Sequence, residues 1–168
     1  VNESMADQAV FLLFTEGILP GLDQLPNVMR IGTVNTLPYD QVLRLTGGCD
    51  YFIFPSVCEG FGVPVLEANA MGKPAIHCWM PPLSEFSSKD FNFVFGYYEK
   101  FLVNCQNLQY WVFHNYQPDL LAEMVTNAIK TFKESKAEYR EYCEKAAEHS
   151  RQWDFHKIYP RLLKILEC

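Results

Sequence analysis

The sequence predicts an α/β domain: a parallel sheet of short strands covered on both faces by helices. Two observations carry that reading. The apolar runs are continuous rather than alternating, as strands buried on both faces must be. Segments with helical spacing lie between them, the pattern of β-α-β units.

The elements follow in order. Ala9–Phe14 (AVFLLF) reads as a buried strand, and Asn27–Ile31 (NVMRI), closed by Gly32, as a second. Tyr39–Thr46 has helical spacing at Val42 and Leu45 and is predicted to stop at Gly47-Gly48. Asp50–Phe54 (DYFIF) is the third strand. Pro64–Met71 is a helix, with proline at its start and Gly72 after its end. Pro74–Cys78 (PAIHC) is the fourth strand. Residues 79–116 are rich in aromatics and give no clear period; Tyr110–Phe113 (YWVF) fits a fifth strand. From Pro118 the chain turns helical, with Leu121, Val125, Ala128, Ile129 and Phe132 on one stripe. A charged, solvated helix follows over 133–151. A last amphipathic helix runs near His156–Leu166, with Ile158, Leu162 and Ile165 on one face.

The length, 168 residues, suits one domain, since a domain takes roughly 100–200. The expected organisation is a single unit over 1–168, with 1–8 the remnant of a preceding helix and 152–168 the C-terminal helix. The net charge is −6. Residues 1–72 hold eight acids and two bases, Arg30 and Arg44; residues 73–168 hold twelve of each. No basic cluster suits a nucleic acid, so none is expected as a partner. No apolar run approaches the roughly 18 residues of a membrane span. A cytoplasmic location is expected, with the six cysteines as reduced thiols. No Cys-x-x-Cys or paired-His spacing points to a metal, and no cofactor is expected.

The chemistry concentrates in residues 55–76, PSVCEGFGVPVLEANAMGKPAI. A strand ends, a loop with Gly60 and Gly62 follows, and a helix begins near Pro64. Glycines let backbone N–H groups approach a ligand, and a helix start favours an anion. Ligands of open parallel sheets sit at the carboxyl ends of strands. Two carboxylates bracket the loop, Glu59 and Glu67. A phosphate repels carboxylates, whereas vicinal hydroxyls donate to them. A ligand with both groups, such as a sugar nucleotide, satisfies both features. Taken alone, the same residues also fit a plain turn beside a surface glutamate. The loop lacks the third glycine of a Gly-x-Gly-x-x-Gly dinucleotide fingerprint. His77, among apolar neighbours, reads as a satisfied core histidine rather than a catalytic one.

The segment resembles the signature of retaining glycosyltransferases of the GT-B architecture, PS-x-x-EGFG-x-P-x-LEA-x-A-x-G-x-P-x-I, with the family's seven residues between the two glutamates. Ile31-Gly32-Thr33-Val34 is similar to the family's F-x-G-x-V turn, and Trp153–Leu166 to its C-terminal helix. The resemblance implies the C-terminal, Rossmann-like, donor-binding half of such an enzyme. It implies that Glu67 binds the ribose of a UDP-, GDP- or ADP-sugar. Glu59, the candidate catalytic residue, would hold the transferred sugar. Gly60, Phe61, Gly62 and Val63 would face the sugar and diphosphate, and Thr33 and Val34 the base. Glu85 matches a later glutamate of the family. The family needs no bound metal. An acceptor-binding N-terminal half, in cis or in trans, is the expected partner.

Two departures stand out. The family's diphosphate-clamping Arg and Lys precede this region, yet no cation stands before Arg30, and Lys73 lies past the helix. Pro81-Pro82 replaces the glycine pair expected before Glu85, which removes two N–H donors. Trp79 and Met80 fit either a pocket wall or ordinary packing. A non-catalytic nucleotide-sugar-binding or interaction module with the same half-fold is the alternative reading. A sugar-nucleotide epimerase is a weaker one, which the signature disfavours.

Overall fold

A computed structural model describes residues 8–15, 21–32, 36–104 and 110–166. Its elements are β1 (Phe11–Phe14), β2 (Val28–Gly32), α1 (Tyr39–Gly48), β3 (Phe52–Phe54), α2 (Val63–Ala70), β4 (Ala75–Cys78), α3 (Leu83–Phe86), β5 (Phe93–Phe95), β6 (Glu99–Asn104), β7 (Tyr110–Asn115), α4 (Pro118–Glu134), α5 (Lys136–Ser150) and α6 (Phe155–Leu166). The α/β architecture read from the sequence is the one observed. Strands β3, β4 and β5 pair in parallel in that order, and β1 pairs in parallel with β2.

All four residues of β4 are buried, so apolar material covers both its faces. On one side Ile76 meets Val125, Ala128 and Ile129 of α4, and Phe11 and Ile53 pack against the same cluster. The predicted stripe of α4 is thus the face it buries. The other cluster joins Ala75 and Cys78 of β4 to Val65 of α2, Leu83 and Phe86 of α3, Met80 and Phe95. Met80 is fully buried there, which settles it as packing rather than a pocket wall.

Helix α2 ends as its sequence dictates. Gly72 adopts φ +68°, its N–H donates to Asn69 O at 2.9 Å, and Lys73 N–H reaches Ala68 O at 2.9 Å. These bonds satisfy carbonyls the helix leaves open, in a Schellman turn. A Cβ on Gly72 would stand 3.3 Å from Cys143 O, so the glycine also admits α5 alongside.

Three expectations change. Helix α1 runs through both Gly47 and Gly48 rather than stopping at them, and closes with Cys49 N–H on Thr46 O. The strand after β4 in the parallel sheet is Phe93–Phe95, whose run of three residues was too short to read. Tyr110–Phe113 is a strand, but an antiparallel one, paired with β6 in a hairpin outside that sheet. The 133–151 segment is helical as predicted, with a break at Ser135. Cys49, Cys58, Cys78 and Cys143 are in no disulfide among the described residues; Cys105 and Cys168 lie outside them. Burial pushes the Cys78 thiol up to about 11, in keeping with a packing role.

Candidate functional site

The loop after β3 is held from two sides. On one, β7 and the residues just after it reach across. His114 N–H donates to Val57 O at 2.8 Å, and the Tyr116 hydroxyl donates to Pro55 O at 2.8 Å. Within the loop the Ser56 hydroxyl donates to Cys58 O at 2.9 Å. On the other side stands α3. Gly62 adopts φ +91°, and a Cβ there would lie 2.1 Å from Leu83 Cδ2. Phe61 stacks on Phe86 with ring centroids 5.0 Å apart, and Trp153 meets both rings edge-on. A loop held this way keeps its backbone amides in place without help from a ligand.

Those amides are what the site offers an anion. Gly62 is the N-cap of α2, and Pro64 in the first turn carries no N–H. Val65 N–H is taken by Gly62 O at 3.0 Å. Among the described residues, the amides of Gly60, Phe61, Gly62 and Val63 donate to no backbone acceptor. Amides left without a backbone acceptor at a helix start, beyond the carboxyl end of a strand, are donors of the kind that suit an anion.

The two carboxylates flank this turn, both half-buried. Glu59 precedes the glycines and has no ion-pair partner among the described residues. Glu67 lies one turn into α2, and its Oε1 accepts a hydrogen bond from the Tyr39 hydroxyl at the start of α1. That bond, then burial, raises the phenol pKa, so Tyr39 is a neutral donor at physiological pH. No described contact joins Glu59 to Glu67. Glu85 is exposed on α3, two residues after the Leu83 that abuts Gly62. Thr33 and Val34 lie outside the described residues.

His77 is fully buried with both ring nitrogens engaged, the core histidine its neighbours predicted. Nδ1–H donates to Cys78 O at 2.8 Å and Nε2 accepts from the Ser87 hydroxyl at 2.8 Å. Ser87 accepts from Asn92 Nδ2 at 2.8 Å, and Asn92 exchanges two 3.0 Å bonds with Asn69. Asn92 Oδ1 also takes the Ala75 N–H at 2.6 Å. This buried chain ties the end of α2 to β4, α3 and β5, and so fixes the frame around the loop.

Lys73 sits beyond the far end of α2, away from the amides. The ion pairs among the described residues are Asp40–Arg44, Glu141–Lys145 and Glu148–Arg151, all exposed and local to one helix or its end. No group of three His, Cys, Asp or Glu is placed to hold a metal among those residues. No described helix is long and apolar enough to cross a membrane.

Sequence reasoning missed Tyr39, His114, Tyr116 and the Asn69–Asn92 pair. Each acts across a long stretch of chain, and no local pattern marks it.

A parallel sheet flanked by helices, with a glycine-containing loop running from the end of one strand into a helix, defines a Rossmann-like α/β domain. Residues 26–150 match the family described as Glycosyl transferases group 1, and the chain belongs to that family. It is also 36% identical over 157 residues to a protein of Sulfolobus islandicus rod-shaped virus 1 named "Uncharacterized glycosyltransferase 335". That alignment covers 90% of this chain and 42% of the relative's length, so the chain spans less than half of the relative it matches.

Proposed function

We propose that this chain is the nucleotide-sugar donor-binding half of a retaining glycosyltransferase that moves a sugar from a nucleoside diphosphate to an acceptor. The observation that carries the reading is the run of open amides at Gly60–Val63, bracketed by Glu59 and Glu67. Amides suit a diphosphate, and carboxylates suit hydroxyls. In this reading Glu67 accepts the ribose hydroxyls and Glu59 those of the transferred sugar. Phe61, Gly62 and Val63 face the diphosphate through their N–H groups. In the same reading Thr33 and Val34 serve the base, and Glu85 is a further substrate-binding residue.

The chemistry follows from where charge moves. As the bond from the sugar's anomeric carbon to the diphosphate lengthens, positive charge grows on the sugar and negative charge on the leaving group. Donors fixed in advance beside the leaving oxygens lower that barrier, and each contributes roughly 2.7–4 kcal/mol in comparable sites. The loop's clamping by Leu83, His114 and Tyr116 supplies the fixing. Glu59, near the developing positive charge, is the candidate catalytic carboxylate. This reaction calls on no resident metal or cofactor. An acceptor-binding domain, in cis or in trans, completes the cleft.

Thermal unfolding of the chain with UDP-, GDP- and ADP-sugars tests the reading, since a ligand that binds only the folded state raises Tm. One nucleotide class should raise it, and Glu67→Ala should abolish the shift. An unchanged shift in that variant rejects the ribose role. Pro81-Pro82, in place of N–H donors, favours a second reading, a binding module without turnover. Donor binding with no sugar transfer or donor hydrolysis, even in the presence of the full-length neighbouring domain, would support it.

A further inference from the structure

Tyr39 opens α1, yet its phenol bonds to a carboxylate 28 residues away on α2. The ring is 63% exposed, so packing does not hold it there. Tyr39 is the one hydrogen-bond partner of the Glu67 side chain among the described residues. A glutamate has three rotatable bonds and a carboxyl plane that turns freely unless something bonds it. Recognition of a vicinal diol needs that plane fixed, because two hydroxyls at set spacing must meet two acceptor positions together. The phenol occupies one position on Oε1 and leaves Oε2, with the second lone pair of Oε1, open to accept.

We propose that Tyr39 is a positioning residue for ribose recognition, its hydroxyl fixing the Glu67 carboxylate in the orientation that accepts the vicinal diol of a nucleotide. The proposal rests on the ribose role of Glu67 given above. It explains why an exposed tyrosine at the mouth of one helix is tied to the half-buried acid of another. It also makes α1 part of the nucleotide subsite, although the motif itself runs from the loop after β3 through α2 to the start of β4.

The test compares the wild-type chain, Tyr39→Phe and Glu67→Ala. UDP, GDP and ADP are titrated by calorimetry, and whichever binds is repeated as its 2′-deoxy counterpart. Tyr39→Phe keeps the ring and removes only the hydroxyl at an exposed site, and its thermal unfolding is measured alongside as a folding control. The preference for ribose over deoxyribose should fall roughly five- to tenfold, the loss of one hydrogen bond's worth of ordering. Affinity for the deoxy nucleotide should stay near the wild-type value. A preference that survives in Tyr39→Phe overturns the positioning role while leaving that of Glu67 intact. Tighter ribonucleotide binding by Tyr39→Phe also overturns it, because the phenol would then compete with ribose. If the wild type shows no binding that depends on Glu67, the ribose role fails and the proposal falls with it.

Discussion

Gly62 and Leu83 touch so closely that position 62 has no room for a side chain: a Cβ there would stand 2.1 Å from Leu83 Cδ2. The backbone at Gly62 is also left-handed, with φ +91°, which an L side chain adopts only under strain. Two independent constraints therefore select glycine at the turn into α2. Gly62→Ala should lower the unfolding free energy by about 2–5 kcal/mol, the left-handed strain and the overpacking together. Urea unfolding at an unchanged m-value measures it. Leu83→Ala alone should cost about 2–5 kcal/mol for its cavity. The double variant should cost less than the sum, since the cavity relieves the clash. Strict additivity would mean that Leu83 is not what excludes the side chain.

Glu59 and Glu67 bracket the same loop but should fail differently when neutralised. If Glu67 meets the ribose, Glu67→Gln weakens binding of a nucleoside diphosphate with or without its sugar. If Glu59 meets the sugar, Glu59→Gln leaves the bare diphosphate's Kd near wild type. It should remove the gain in affinity that the sugar adds, and lower any turnover further. Two hydrogen bonds to a charged group are at stake, so the sugar's increment should shrink at least tenfold. Parallel titrations with the nucleotide and its sugar conjugate separate the two acids. Equal losses for both ligands in both variants would show that the glutamates share one subsite.

The legible parts of the fold are those in which one stretch of chain declares its own state. β4 reads as a buried strand because all of it is apolar or, at His77, internally bonded. α2 reads as a helix because Pro64 and Gly72 punctuate it, and the observed Schellman turn is the physical form of that signal. β5 was not legible, since Asn92 precedes it and a polar residue there reads as loop. Its amide is in fact buried and fully bonded to Asn69, Ser87 and Ala75. β6 escaped because Glu99, Lys100, Phe101 and Leu102 are all exposed, so no face alternates. In the site, the loop and its two acids were visible as a motif. Tyr39 was not, because its bond to Glu67 spans 28 residues and depends on how α1 lies beside α2. His114 and Tyr116 reach the loop from 57 and 61 residues away, through a hairpin that the sequence did not announce.

His77 gives the domain a pH dependence of known sign. Its ring is fully buried between Cys78 O and the Ser87 hydroxyl. Burial lowers its pKa from the ordinary 6.5, and the hydrogen bond to Cys78 O offsets only part of that. Well above pH 6.5 the ring is neutral in both folded and unfolded chains and contributes no slope. As pH falls through 6.5, the unfolded chain takes up the proton before the folded chain does, so stability declines. The decline reaches at most about 1.4 kcal/mol per pH unit and levels off once the folded ring also titrates. Carboxylates elsewhere add their own slope in acid, so the wild type alone does not isolate the effect. His77→Gln removes the titrating group while keeping a polar side chain of similar reach. The variant is expected to be less stable at every pH, because the Ser87–Asn92 chain loses its terminus. Its stability measured by urea unfolding should nevertheless fall less steeply than the wild type's between pH 6.5 and 5. Parallel curves over that window would mean that the folded chain protonates His77 as readily as the unfolded chain does, and that the buried imidazole is not held neutral by its surroundings.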